Sequence, residues 1–153
     1  MKQSIGMTFT LNIMIVFILV SFAFLAGIFS YAKAFKAASL IIKSLEKYEG
    51  YNGLSYNTIN QDLMTVGYLV GNSNKCDNTK KATIGTGNLV KINDLDNNKK
   101  ENFNYCIYKF NNDGDSKHYS YGVVTYMTID LSMLNWQMKF PVYARTKRIY
   151  RFG

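Results

Sequence analysis

The chain has 153 residues, with 18 Lys or Arg against 10 Asp or Glu, and its net charge is +8. This length excludes two independent cores and allows one modest domain, while the positive charge would suit nucleic acid, an anionic cell surface or an acidic partner. Tyrosine (12) and phenylalanine (10) are abundant and proline is single, which predicts a strand-rich soluble part and excludes a disordered one.

The first predicted element is an apolar helix that follows a short basic leader, residues 1–6. No residue from Ile5 to Tyr31 is charged, and this run exceeds the roughly 20 apolar residues that a transmembrane helix needs. The alternative is a cleaved secretory signal, for which "YAKA" offers a small-x-small site. A typical signal core has only about 7–15 apolar residues, and the helical pattern here continues past the cut. We therefore predict that 7–31 crosses a membrane.

The same helix is predicted to continue as an amphipathic segment over 32–48. Apolar side chains recur at helical spacing on one face, and lysines recur on the opposite face. The apolar positions are Phe35, Ala38, Ile42 and Leu45, and the basic positions are Lys33, Lys36, Lys43 and Lys47. Gly50 is a natural stop. One helix over about 5–48 is therefore expected, with its apolar stripe against the soluble domain.

Two features disagree about the side of the membrane on which residues 49–153 lie. The Lys/Arg bias favours the cytoplasm for the more basic flank, and four lysines follow the span while Lys2 alone precedes it. Cys76 and Cys106, which lie outside any metal-ligand pattern, would instead form a disulfide in an oxidising compartment. The lysines already have a use on the helix face, so we predict an extracytoplasmic head. Two buried thiols in a cytosolic protein are the alternative.

The opening residues also carry a family resemblance. The leader "MKQSIG" ends in glycine, and "MTF" and a long apolar run that merges into an amphipathic helix follow it. In this the chain resembles type IV pilin-like proteins, and more narrowly the TadE-like pseudopilins of tight-adherence pili. The resemblance implies a prepilin-peptidase cut after Gly6, with Met7 as the first mature residue. It also implies that Thr8 and Phe9 stand where the family carries Glu-Phe.

Thr8 departs from the family pattern, in which an acidic residue pairs with the N-terminus of a neighbouring subunit during filament entry. The resemblance therefore implies a minor or priming subunit rather than a major pilin. We expect Thr8, Phe9 and the polar Asn12 to belong to the helix surface used in assembly. The implied partners are other pilin-like subunits, the pilus assembly machinery and membrane lipid, and the implied location is the bacterial cell surface.

The remaining sequence predicts a second helix and then a small sheet. Helical spacing indicates a helix at about 57–70, with Asn57 as its cap and Gly71 as its stop. Alternating runs predict strands at about 102–110, 118–131 and 138–151. Pro141 assigns the last run to a sheet edge or a bulge. The predicted fold is therefore α+β, a long N-terminal helix packed on an antiparallel sheet of three or four strands, as in a pilin head.

The sequence offers no pattern for catalysis or for a cofactor. His118 is the single histidine, so a catalytic triad or a histidine-based metal site would lack its other members. The stretch "NNDGDS" (111–116) resembles half of a calcium loop, but the glutamate that closes an EF-hand is missing. A plain turn is the preferred interpretation. We expect neither an enzyme nor a bound metal.

The C-terminal segment alternates basic and aromatic residues. The basic positions are Arg145, Lys147, Arg148 and Arg151, and the aromatic positions are Tyr143, Tyr150 and Phe152. Such a segment would track a nucleic-acid backbone or bind teichoic or phospholipid anions at the cell surface. We favour an edge strand that alternating charge protects from aggregation. An anionic cell-surface polymer remains a candidate partner, and nucleic acid is not expected.

Two functions from different classes follow from the sequence. In the first, the chain is a membrane-anchored, TadE-like minor subunit of a type IV or Tad-type pilus or secretion filament, with a structural role. In that case the apolar helix packs against other subunits. In the second, it is a single-pass membrane protein whose extracytoplasmic domain binds a ligand or partner without assembling.

Overall fold

The chain folds into two helices followed by a five-stranded antiparallel sheet. The computed structural model describes residues 2–68, 76, 88–90, 105–111, 117–131 and 136–150. The helices are α1 (Lys2–Lys47) and α2 (Gly53–Val66), and the strands are β1 (Asn88–Leu89), β2 (Tyr105–Asn111), β3 (His118–Leu131), β4 (Trp136–Arg145) and β5 (Ile149–Tyr150). The predicted α+β class, a long N-terminal helix with a small antiparallel sheet, is confirmed.

Helix α1 is one uninterrupted rod of 46 residues, about 70 Å long at 1.5 Å per residue. It ends where Glu49 and Gly50 adopt positive φ angles of 51° and 141°. The Gly50 amide donates to the Leu45 carbonyl at 2.9 Å. A Cβ on Gly50 would also lie 3.2 Å from the Tyr121 hydroxyl oxygen, so glycine satisfies both the backbone angle and the close approach. The predicted stop at Gly50 is therefore correct.

Helix α2 starts earlier than the predicted range of about 57–70. Its N-cap is Asn52 rather than Asn57, because Asn52 forms a reciprocal capping box with Ser55. The Asn52 Oδ1 accepts from the Ser55 amide at 2.9 Å, and the Ser55 Oγ accepts from the Asn52 amide at 2.8 Å. Asn57 lies inside the helix with an exposed side chain. Asn52 lies between Gly50 and Gly53, and such glycines are typical of turns. The cap is therefore not evident from the sequence.

The end of α2 is also earlier than predicted. Gly67 adopts a left-handed φ of 66°, and its amide donates to the Met64 carbonyl at 3.0 Å. This is the usual glycine termination of a helix. The predicted stop, Gly71, lies outside the described residues.

Strand β3 is the centre of the sheet. It pairs with β2 on one side and β4 on the other, β1 extends the sheet beyond β2, and β5 pairs with the start of β3. The register runs from Tyr105↔Thr125 to Asn111↔Tyr119 for β2–β3, and from Gly122↔Arg145 to Leu131↔Trp136 for β3–β4. The sheet has more strands than predicted because β1 and β5 have two residues each, too few to show an alternating pattern.

The predicted strand at 118–131 is observed with the same bounds, whereas the one at 138–151 is split into β4 and β5. The split occurs because Thr146 turns to bond the main chain of Tyr121. The Thr146 amide donates to the Tyr121 carbonyl, and its Oγ1 accepts from the Tyr121 amide, both at 2.9 Å. Pro141 lies in β4, which pairs with β3 alone among the described strands, in agreement with the predicted edge. Residues 102–104 and 151 of the predicted strands lie outside the described part.

The predicted apolar stripe of α1 is confirmed at Ala38 and Leu45, which are buried, and Ile42 is partly buried against the core, whereas the prediction for Phe35 is wrong. The buried residues of α1 are Ala34, Ala37, Ala38, Ile41, Ser44 and Leu45. Phe35 is 54% exposed, and its ring stacks on Tyr31 with 6.3 Å between centroids. Small residues on the buried face let β3 approach closely enough for the Thr125 Oγ1 to donate to the Ala34 carbonyl at 3.0 Å. Close packing at that distance leaves no room for a phenylalanine.

The opposite face of the sheet carries a second, smaller apolar cluster. It consists of Cys106, Tyr108, Phe110 and Val124, with Cys76 and Tyr126 packed against it. Cys76 and Cys106 form a disulfide, with 5.8 Å between their Cα atoms. The bond connects a residue outside the regular elements to the second residue of β2, in agreement with the disulfide that the sequence predicted.

Candidate functional site

The first candidate site is the apolar surface of α1. This helix is long and apolar enough to cross a membrane, and its most hydrophobic 18-residue window has a mean hydropathy of 2.7 and is 0% buried. The large apolar side chains from Met7 to Phe29 are 47% to 71% exposed. They face all directions around the helix, so no single stripe is reserved for the head. A helix that is apolar on every side is typical of a lipid or protein interior.

The predicted N-terminal site residues all lie in the first turns of α1. Met7 and Phe9 are 70% and 66% exposed, and Asn12 is exposed as well. The Thr10 hydroxyl donates back to the carbonyls of Gly6 and Met7, at 3.1 and 2.9 Å. Such local bonds satisfy a hydroxyl within an apolar helix. The predicted assembly surface is therefore exposed in the structure.

The head, formed by α2 and the sheet, contacts α1 within the predicted span of 7–31. The Ser30 hydroxyl donates to the Thr128 carbonyl and accepts from the Thr128 amide at 3.0 Å. One turn earlier, a Cβ on Gly27 would lie 3.6 Å from the Ile129 Cδ1. Within the described residues, the head therefore contacts α1 as far down as residue 27. The segment 7–26, whose large apolar side chains are exposed, is about 30 Å long, the thickness of a hydrocarbon core.

The hydrogen bonds between Ser30 and Thr128 are called the Ser30 joint here. A cavity of about 360 Å³ lies beside it, between α1, the end of α2 and β3. Residues of all three elements line it, including Ala26, Phe29, Ser30, Lys33, Tyr68 and Thr128. The Tyr68 hydroxyl donates to the Tyr126 carbonyl at 3.1 Å and accepts from the Tyr126 amide at 2.8 Å. Burial raises the pKa of Tyr68 to about 12, although the hydrogen bond to Tyr126 opposes the shift. Tyr68 is therefore neutral, and it fixes one wall of the cavity.

A cluster of tyrosines attaches the C-terminal end of α1 to β3. The Tyr119 hydroxyl donates to the Glu49 carbonyl at 2.6 Å, and the Tyr121 hydroxyl accepts from the Tyr51 amide at 3.4 Å. The Tyr119 and Tyr121 rings meet edge to face at 5.6 Å. Burial raises the pKa of Tyr121. These contacts, together with the Ser30 joint, attach the head to α1 at two points separated by about 30 Å along the helix.

The predicted basic segment is only partly available to a partner. The Arg145 guanidinium donates twice to the Ser120 Oγ, at 3.1 and 2.9 Å, and lies 4.8 Å from the centre of the Phe110 ring. Lys147 and Arg148 have exposed side chains. Arg151 lies outside the described residues. Arg145 therefore stabilises the sheet, and an anionic partner would contact Lys147 and Arg148.

In the described part of the chain, no group of three or more His, Cys, Asp or Glu side chains could hold a metal ion. The His118 ring packs edge-on against Tyr150 at 5.3 Å. The calcium-like stretch begins with Asn111 at the end of β2, and 112–116 lie outside the described residues.

Sequence reasoning missed the Ser30 joint, the cavity and the Arg145 contacts. Ser30 offered a signal, since it is a polar residue near the end of an apolar run. Tyr68 offered a weaker one, because a tyrosine directly after the glycine that ends a helix is placed to pack back on the fold. The Arg145 contacts depend on the register of β3 with β4, which the sequence does not specify.

No protein-family model matches the chain, and neither the curated proteins nor the solved structures give a match. Its fold and the geometry of its surfaces are therefore the grounds on which a function is proposed.

Proposed function

We propose that the chain is a membrane-anchored, pilin-like minor subunit with a structural role in a TadE-like pilus or secretion filament. The observation that carries this proposal is the division of α1 into two parts. The upper part is buried against the sheet and α2, and the large apolar side chains of 7–26 are exposed on every side of the helix. Exposing that much apolar surface to water is unfavourable, so a lipid bilayer or the core of a filament is its expected environment.

Assembly through the helix is supported by two polar residues in its apolar segment, Thr8 and Asn12. An asparagine at a hydrocarbon depth is stabilised by a hydrogen bond from a neighbouring helix, and Asn12 is exposed among apolar side chains. Thr8, in the position where related pilins carry an acidic residue, provides no carboxylate to pair with a neighbour's N-terminus. A minor or priming position fits this difference better than a major one.

An extracytoplasmic head is supported by the cysteine pair. Disulfides persist in oxidising compartments and are rare in the cytosol. With Cys76 and Cys106 at bonding distance, the head is better suited to the outer side of the membrane. The lysines that argued otherwise, of which Lys33 and Lys36 are examples, have exposed side chains on the head part of α1. There they can contact lipid phosphates on either side of a bilayer.

The assembly proposal is tested by disulfide crosslinking between subunits in native membranes. Val16→Cys places a thiol in the middle of 7–26, where side chains would face a neighbouring helix, and an oxidant should then produce a covalent dimer. Lys43→Cys is the matched control, since that exposed residue lies on the same helix in its head part. A crosslink at neither position, with the protein present in the membrane, would favour the non-assembling single-pass protein.

Leader removal is a second, independent test of the same proposal. The mature protein isolated from its native host should have a mass that corresponds to an N-terminus at Met7. An intact leader on membrane-extracted protein would contradict processing at Gly6 and would favour the single-pass protein that does not assemble.

A further inference from the structure

We propose that the cavity between α1, the end of α2 and β3, here called the headgroup cavity, binds the phosphate of an anionic phospholipid. Its walls include Ala26, Phe29, Ser30, Lys33, Tyr68 and Thr128. This inference rests on the membrane anchoring proposed above and adds a specific lipid site to it. At about 360 Å³, the cavity falls in the range of about 300–1,000 Å³ found for small-molecule sites.

The height of the cavity matches the headgroup layer. Residues 7–26 cover the hydrocarbon core, so Ala26 lies at its outer edge. Lys33 lies two turns higher, about 10 Å along the helix axis. The headgroup region extends about 5–8 Å beyond the hydrocarbon on each side, and the flexible stem of a lysine covers the remaining distance. The cavity therefore opens at the depth where lipid phosphates are found.

The chemistry of the cavity follows the order of groups in a phospholipid. The lower wall is formed by Ala26 and by Phe29, which is 66% exposed, and it suits the glycerol and the first methylenes. Lys33 lies at the upper end, and its exposed ammonium forms no ion pair with an acidic side chain in the described part of the chain. An ammonium is a compact charge that binds phosphate well.

The other polar groups of the cavity hold its shape. The Ser30 hydroxyl is engaged with the main chain of Thr128, and the Tyr68 hydroxyl with the main chain of Tyr126. The walls are therefore fixed before a ligand arrives, and Lys33 supplies the charge. A single exposed cation binds a free anion weakly in water. A lipid phosphate is already concentrated at the membrane surface, so a lipid is the occupant that this arrangement favours.

The test compares two lysine variants of the full chain in nanodiscs that contain phosphatidylcholine and phosphatidylglycerol. After gentle extraction, native mass spectrometry counts the phosphatidylglycerol that stays bound. Lys33→Gln should reduce retention about fivefold, because it removes the ammonium that lines the cavity and would contact the bound phosphate. Lys36→Gln changes the net charge equally and lies outside the cavity, so its effect should be less than about twofold.

A second pair of variants tests the apolar wall without a change of charge. Ala26→Leu fills the lower end of the cavity and should also reduce retention, whereas Ala32→Leu, an exposed position on the same helix, should not. Equal losses for Lys33→Gln and Lys36→Gln would overturn the lipid site, because bulk attraction would then suffice. Displacement of the lipid by millimolar inorganic phosphate would also overturn it, in favour of a free-anion site.

The outcome for the wild-type chain separates this inference from the proposal on which it rests. A protein that enters nanodiscs and retains no phosphatidylglycerol contradicts the headgroup cavity alone. A protein that stays soluble and does not enter nanodiscs contradicts the anchoring, and the lipid site with it.

Discussion

The buried face of α1 can be tested by two substitutions for which sequence pattern and structure give opposite expectations. The apolar stripe read from the sequence includes Phe35 and omits Ile41. In the structure Ile41 is 0% exposed, within the main core, and Phe35 is 54% exposed. We therefore expect Ile41→Ala to be much more destabilising than Phe35→Ala, although phenylalanine is the larger side chain.

The expected magnitude follows from the burial of each side chain. Ile41→Ala removes three carbons, worth about 2.4 kcal/mol at about 0.8 kcal/mol per buried methylene. The cavity left behind raises the loss of unfolding free energy to about 3–4 kcal/mol. Phe35→Ala removes a ring that faces outward and contacts Tyr31, and it should cost less than about 1 kcal/mol.

The assay is urea unfolding of the full chain in non-denaturing micelles, followed by the fluorescence of the single tryptophan, Trp136. Leu45→Ala, also at a buried position on α1, is a positive control that should behave like Ile41→Ala. If Phe35→Ala proved to be the more destabilising of the two, α1 would present a different face to the sheet, and the packing described above would be wrong.

Three further outcomes are expected. Replacing both Cys76 and Cys106 by alanine should lower the unfolding free energy by about 3–4 kcal/mol, the loop-closure value for a separation of 30 residues. The bond itself should be visible as a difference in gel mobility between reduced and non-reduced samples of the wild type. Asn52→Ala should cost about 1 kcal/mol in urea unfolding through loss of the N-cap, whereas Asn57→Ala should be nearly neutral; the reverse order would restore the predicted cap. Burial raises the pKa of Tyr68 to about 12 from 10.0, so the folded state holds its proton more tightly than the unfolded state, and stability should fall as the pH rises from about 10 to 12. A Tyr68→Phe variant that lost as much stability over this window would exclude Tyr68 as the cause.

Features encoded by long runs of residues were predictable from the sequence. The apolar run and the lysine periodicity gave α1 within a few residues, because an uninterrupted helix depends on local propensity and on the absence of proline. Strand β3 was placed with its observed bounds, because the stretch "NNDGDS" (111–116) predicts a turn before it. The edge position of β4 followed from Pro141, which has no N–H to donate to a neighbouring strand.

Features that depend on tertiary packing were not predictable. Helical spacing placed Ala38 and Leu45 on the buried face of α1 but did not show that Ile41, rather than Phe35, belongs to it. Phe35 and Ile41 suit a core equally by composition. The close approach of β3 determines which side of α1 is buried, because it requires small residues, the alanines at 34, 37 and 38. Ser30 is a polar residue near the end of an apolar run. Nothing local in the sequence indicates that its hydroxyl bonds the main chain of Thr128, 98 residues away.

The central claim is that residues 7–26 cross a bilayer and that the head rests on the lipid surface. The single tryptophan offers a direct measurement, because Trp136 pairs with Leu131 at the end of the β3–β4 hairpin, two residues beyond the contact of Ile129 with Gly27. In liposomes, lipids brominated near the glycerol end of their acyl chains should quench this tryptophan more strongly than lipids brominated at the bilayer centre. Fluorescence that neither lipid quenches, from protein that remains with the liposomes, would contradict this arrangement.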